Sequence, residues 1–226
     1  RKAFRLSHVT RVPLLDTTRI PDACSAELKD TCARILDSGQ FILGPEVMAF
    51  EKTMAEFMGV KHAIGVSSGT DALILALMTL GVGPGDKVIC PSFTFFATAG
   101  AIWRVGATPV FVDIDATSFN LCPDAVVQAL TAKTKAIMPV HLFGQMADMQ
   151  ALKKVCDQRG IAIIEDAAQA IGSHTDNRMA GTWGDLGAFS FFPTKNLGGY
   201  GDAGLVTTQS DELAQEAKLL RVHGAK

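Results

Sequence analysis

The chain has little net charge, and that lack excludes a first class of partners. Its 21 Lys and Arg stand against 23 Asp and Glu, leaving −2 at pH 7, so no basic field draws in nucleic acid or an anionic membrane. Long apolar runs are also missing. The longest uncharged stretch worth testing, residues 88–103, counts 16 and carries Pro and Thr, short of the roughly 20 residues that cross a bilayer. The five cysteines (Cys24, Cys32, Cys90, Cys122, Cys156) are odd in number and form no C-x-x-C pair. That argues against a disulfide framework or zinc site and for small core residues. The five histidines (8, 62, 141, 174, 223) lack metal-ligand spacing, so no metal is expected. Neither a leader peptide nor an N-x-S/T site is present, which predicts a cytoplasmic protein. Walker sequences, internal repeats and low-complexity tracts are absent as well.

What is present is material for a core: 48% of the 226 residues are hydrophobic. Residues 1–20 lack periodicity and read as an extended arm. Pro21 in a first turn, then Leu28, Cys32, Ile35 and Leu36, mark an amphipathic helix ending near Gly39. Residues 41–45 form a loop, and 46–58 a second helix closing at Gly59. From there strands and helices alternate. The strands are 63–66, 87–90, 108–112, 136–140, 161–164, 188–192 and 205–208. The helices between and after them are 70–80, 95–105, 123–130, 148–159 and 211–222. This density of alternation predicts a mainly parallel α/β sheet with helices on both faces. It divides the chain into an N-terminal arm with helices over 1–60 and an α/β domain over 61–226.

The stretch from Ala188 to Gly199 stands out. An aromatic, apolar strand is stopped by Pro193, which cannot donate to a ladder, and Lys195 emerges two residues later before Leu-Gly-Gly. A single such lysine is ordinarily a solvated loop residue. The strand over 161–164, however, ends in Glu165-Asp166, and ligands of open α/β sheets collect beyond the strands' carboxyl ends. An uncompensated acid there is costly, so Asp166 needs a cation or several donors. Gln169 follows one turn on, on the same side if the segment is helical. Residues 67–73, Ser-Ser-Gly-Thr-Asp-Ala-Leu, suit a phosphate at a helix N-terminus, or a plain cap with Thr70 capping and Asp71 favouring the dipole. Phe95, after the second strand, is either core or a surface on which a planar ring stacks. Gly199, Gly201 and Gly204 match G-x-G-x-x-G, but a strand follows rather than a helix, which rules out a dinucleotide fingerprint.

Seven motifs in order carry a family likeness: Gly39 to Val47, Ser68 to Leu73, Pro91 to Phe95, Val112 to Asp115, Pro139 to Gly144, Glu165 to Gln169 and Phe189 to Gly198. On these the chain resembles the DegT/DnrJ/StrS family of pyridoxal-phosphate-dependent sugar aminotransferases, with the type I, aspartate-aminotransferase-like fold. The resemblance implies pyridoxal 5'-phosphate as cofactor, with Lys195 the lysine that binds it covalently. It also implies that Asp166 pairs with the pyridinium nitrogen, Gln169 lies near the ring hydroxyl and Phe95 stacks on the ring. Gly69, Thr70 and Ser190 match phosphate contacts. Relatives with His at the lysine position perform dehydration, so Lys195 favours transamination.

The implied reaction moves an amino group, usually from glutamate, onto a nucleotide-linked keto-sugar for polysaccharide or glycoconjugate biosynthesis, in a homodimer. The implied fold continues into a small C-terminal domain that is absent before Lys226, which leaves the pocket open and predicts exposed apolar surface. Two rivals stand beside this reading. Another type I enzyme, a lyase or racemase, would keep Lys195 and Asp166, and a pseudoenzyme or regulator would hold cofactor without turnover.

Overall fold

The computed structural model describes residues 22–224 together with Pro13, Asp16 and Arg19. The remainder of the expected arm over 1–20, and Pro21, lie outside the described residues. Contacts divide the chain into two units, Arg1–Phe41 and Ile42–Lys226. The first contains helix α1 (Asp22–Ser38), which ends at the expected place. The second opens with α2 (Pro45–Met58) and continues through β1 (His62–Val66), α3 (Gly69–Thr79), β2 (Lys87–Pro91), α4 (Ala97–Arg104) and β3 (Thr108–Val112). Next come α5 (Pro123–Ala129), β4 (Thr134–Ile137), a 3₁₀ turn (Leu142–Gly144), α6 (Met149–Asp157) and β5 (Ala162–Asp166). A small hairpin of β6 (His174–Thr175) and β7 (Arg178–Met179) precedes β8 (Leu186–Ser190), β9 (Gly204–Thr208) and α7 (Asp211–Arg221).

The main sheet has seven strands in the order β1-β9-β8-β5-β4-β2-β3. Only β9 runs against its neighbours, so β1, β2, β5 and β8 all point their carboxyl ends to one edge. Side-chain alternation explains why the strands are apolar throughout. Val88, Cys90, Ala136, Met138, Ile164, Ala188 and Val206 pack with α3, α4 and α7 on one face. Their neighbours Ile89, Ile137 and Ile163 pack with α5 and α6 on the other. Phe189 and Leu205 meet Met54 and Met58 of α2 in a third cluster. The mainly parallel α/β sheet with two helical faces is as expected.

Several boundaries differ from expectation, for identifiable reasons. The strand expected over 136–140 ends at Ile137, because Pro139 has no N–H to continue the ladder; Val140 keeps only an isolated bridge to Asp166. The strand expected over 188–192 begins at Leu186 and ends at Ser190, where the Phe192 amide turns to the Ser190 hydroxyl at 3.3 Å. The helix expected from Phe95 begins at Ala97. The residues after Asp166 form a turn rather than a helix. Of the cysteines expected in the core, only Cys90 and Cys156 are buried, whereas Cys24 and Cys32 are exposed. Burial pushes both core thiols up to about 12, which leaves them inert as nucleophiles.

Two carboxylate networks, one part-buried and one fully buried, fix the segments that approach the carboxyl edge. Glu51 accepts the Gly65 amide at 2.7 Å and pairs with Arg221, which donates to the Gly65 carbonyl at 3.1 Å. The end of β1 is thereby tied to α2 and α7. Deeper, the fully buried Glu165 accepts the amides of Trp183 (2.6 Å) and Gly184 (2.7 Å) on Oε1. Its Oε2 accepts the Gly181 amide (2.9 Å) and faces His141 Nε2 at 2.7 Å. The Ala147 amide donates to His141 Nδ1 at 3.1 Å, so that nitrogen is the acceptor and Nε2 carries the proton toward Glu165. Glu165→Gln would set an amide NH₂ against the Gly181 amide and the His141 N–H. It is expected to cost about 2 kcal/mol, read as a lower denaturant midpoint. An unchanged midpoint would mean that the network reorganises without loss.

Candidate active site

The carboxyl ends of β1, β5 and β8 and the loop after β2 surround a cavity of about 390 Å³. All seven residues singled out in the sequence line it: Gly69, Thr70, Phe95, Asp166, Gln169, Ser190 and Lys195. They come from four separate stretches, joined by the parallel order of the strands.

Asp166 is the last residue of β5 and is 5% exposed. Its Oδ2 accepts from the Thr98 hydroxyl at 2.8 Å, and its Oδ1 from the Ala168 amide at 3.3 Å. Burial pushes this carboxyl up from the ordinary carboxylate range; the Thr98 and Ala168 hydrogen bonds, then His141 and Lys195, pull it down. Burial prevails, which marks an acid short of a counter-charge.

Lys195 sits on a turn closed by its own amide bonding the Phe192 carbonyl at 2.8 Å, with Pro193 in the second position. Its side chain is half-buried. Gln169 lies on the turn after β5, where its Oε1 accepts the Phe143 amide at 2.9 Å. That bond commits the amide oxygen and leaves Nε2 as a donor for the cavity. Phe143 holds a left-handed backbone, φ 53°, to present that amide. Phe95 is 70% exposed beside the opening. A flat ring there has an uncovered face, and the core alternative is excluded.

The first amides of α3 have no intrahelical partner, and they open on the cavity through Gly69 and Thr70. The cap is Ser68 rather than Thr70: its Oγ accepts the Asp71 amide at 3.0 Å. Ser67 and Ser68 both donate to Asp71 Oδ2, which occupies that carboxylate. Close approach requires glycine twice. A Cβ on Gly69 would lie 2.5 Å from the Ser190 Cβ, and one on Gly204 2.3 Å from the Ser68 carbonyl oxygen. Gly204 thus serves the approach of β9 to this loop, and the strand that follows it excludes a dinucleotide fingerprint there. Gly69→Ala is expected to destabilise the fold by about 1–3 kcal/mol, with part of the loss recovered in Gly69→Ala/Ser190→Gly. A Gly69→Ala melt like that of the parent would refute the clash.

Thr94, Thr98 and Asp202 were not singled out from the sequence. Thr94 and Asp202 line the cavity, and Thr98 lies behind it against Asp166. The four-residue spacing of the two threonines across the start of α4 was the signal available. Among the described residues no group of three His, Cys, Asp or Glu could hold a metal. None of their helices is long and apolar enough to cross a membrane.

Residues 22–226 match the DegT/DnrJ/EryC1/StrS aminotransferase family, and the chain belongs to it. It is 49% identical to a "pleiotropic regulatory protein" of Geobacillus stearothermophilus, over 95% of this chain and 58% of that protein. It is 46% identical to a UDP-N-acetyl-3-dehydro-alpha-D-glucosamine 3-aminotransferase of Acidithiobacillus ferrooxidans, over 96% and 58%. Among solved structures, S. venezuelae DesV in complex with a ketimine intermediate matches with a TM-score of 0.92 at 46% identity, covering 96% of this chain and 58% of that one. Bacillus subtilis NtdA with bound cofactor PMP matches with a TM-score of 0.87 at 36% identity, covering 95% and 48%. The chain spans about half to three-fifths of the length of the relatives it matches, 58% of each of the first two.

Proposed function

We propose that this chain forms the cofactor-binding part of a pyridoxal-phosphate-dependent aminotransferase. Its reaction would transfer an amino group, with glutamate as donor, to a nucleotide-linked keto-sugar for polysaccharide or glycoconjugate biosynthesis. The observation that carries the reading is the buried Asp166 carboxyl, short of a counter-charge, in the same cavity as Lys195. The residues fit the cofactor. Asp166 would meet the ring nitrogen, Gln169 Nε2 the ring hydroxyl, and Phe95 would cover the ring. Gly69, Thr70 and Ser190 would hold the phosphate at the N-terminus of α3. When bound, pyridoxal phosphate supplies an electron sink that works while its ring nitrogen stays protonated. Asp166 would hold that proton through its charge, and Lys195 would anchor the cofactor and move protons at its Nζ.

The working enzyme is a cytoplasmic homodimer, and residues 61–226 act as its cofactor domain behind the segment 1–60. The exposed Phe95, Phe96, Trp103 and Phe143 are the apolar surface that a second subunit or further domain would cover.

A second reading has support in the regulatory names of two relatives, the Geobacillus protein and the erythromycin biosynthesis sensory transduction protein EryC1. There the same site would hold cofactor without turnover, yet Lys195 is the group such a regulator has no need to keep. Single-turnover assays of the cofactor-loaded protein, with glutamate and a panel of UDP-, dTDP- and GDP-linked keto-sugars, distinguish the two. An amino-sugar product with at least one substrate is expected. Cofactor uptake without product across the panel would favour the regulator.

A further inference from the structure

We infer that Thr98 is a positioning residue that locks the Asp166 carboxyl in one orientation toward the cavity, with Thr94 completing the lock. As a role toward a bound cofactor this rests on the reading above. Thr98 is 0% exposed and stands in the first turn of α4, its amide on the Phe95 carbonyl at 3.2 Å. Its hydroxyl lies 2.8 Å from Asp166 Oδ2 and 2.9 Å from the Thr94 hydroxyl. An ionised carboxylate only accepts, so the Thr98 proton points at Asp166 and its lone pairs are left for the Thr94 proton. The polarity of the chain is therefore fixed, from Thr94 through Thr98 to Asp166, and each bond strengthens the next.

Each carboxylate oxygen then has one donor from the chain, because Oδ1 faces the Ala168 amide. Rotation of the carboxyl would break both bonds at once. The side chains of His141 and Lys195 also lie near it, with Asp202 lining the same cavity, and among the described residues neither side chain bonds the Asp166 carboxylate directly. Thr98 therefore supplies the closer of the two hydrogen bonds that hold the carboxylate. The loop after β2 and the first turn of α4 carry Thr94, Phe95 and Thr98 together, so the segment that presents the exposed ring also orients the buried acid.

Thr98→Val keeps the shape and removes the hydroxyl, whereas Thr98→Ser keeps the hydroxyl. In the cofactor-free protein, the Asp166 carboxyl carbon is followed by NMR against pH. It is expected to titrate about one pH unit higher in Thr98→Val than in the parent, and unchanged in Thr98→Ser. With pyridoxal phosphate loaded, Thr98→Val is expected to lose about tenfold in kcat with KM within about twofold, and Thr98→Ser to retain both. Thr94→Val should move the same readouts in the same direction by less. Thr98→Ala takes the place of Thr98→Val should the latter not fold. An unmoved titration in Thr98→Val, or equal damage from Val and Ser, would overturn the assignment. Failure of the parent protein to take up pyridoxal phosphate would instead sink the cofactor reading, while the titration would still decide whether Thr98 holds Asp166.

Discussion

Replacing Lys195 with alanine is expected to end amino-group transfer, lowering turnover by at least roughly a thousandfold. The side chain stands on a turn outside the three hydrophobic clusters. The melting midpoint of the cofactor-free protein should therefore change by no more than about 0.5 kcal/mol equivalent. Lys195→Arg separates charge from nucleophilicity: the guanidinium keeps the cation near Asp166 but has no neutral amine at working pH, so it should fail like alanine. Borohydride reduction of the loaded protein, followed by peptide mapping, should fix the label on the peptide containing Lys195 and on no other. A label elsewhere, or an alanine variant that turns over at a tenth of the parent rate or better, would remove Lys195 from the reaction.

Lys195 and Asp166 were legible in the sequence because each chemical group stands at or shortly beyond the end of an apolar strand, and the parallel sheet sends such strand ends to one edge. The helices and strands were legible for a related reason. Both faces of the sheet are covered, so every strand is a short apolar run bounded by turn residues. What was not legible depended on single contacts across the fold. Pro139 truncates β4, and the Phe192 amide leaves the β8 ladder for a hydroxyl that no periodicity announces. The strands of the β6–β7 hairpin have two residues each, too few to carry a period. Thr98 lies 68 positions from Asp166, and Glu165 lies 24 from His141. Neither pairing has a local signature, although each decides how an acid at the end of β5 is satisfied.

The two adjacent acids of β5 have opposite circumstances. Glu165 is saturated by three amides and a histidine, the condition of a structural carboxylate. Asp166 has one hydroxyl and one long amide contact, the condition of a carboxylate kept for something else. Alternation along the strand separates them, sending one toward the segment before β8 and the other toward the cavity.

Asp166→Asn should therefore change activity and stability in opposite directions. At about 4 Å and an effective dielectric near 20, a carboxylate–pyridinium pair contributes roughly 4 kcal/mol, so loss of the charge should lower kcat about a thousandfold. The variant should still bind pyridoxal phosphate, because the phosphate loop and Lys195 remain. Stability without cofactor follows from the direction in which burial moves the carboxyl. Its folded value is raised, so its stabilising contribution is fully present below the unfolded value near 4, where the group is neutral in both states. That contribution is lost as pH rises through the folded value, because the folded state must then bury a charge. Asparagine carries no such charge. The cofactor-free variant is accordingly expected to melt above the parent at neutral pH, the gap closing as pH falls toward 4. Loading pyridoxal phosphate should raise the parent's midpoint more than the variant's, since only the parent gains a counter-charge. Near-normal turnover in Asp166→Asn would remove Asp166 from the mechanism. A variant less stable than the parent at neutral pH would show instead that the carboxylate is already satisfied by its own chain and is not held for a ligand.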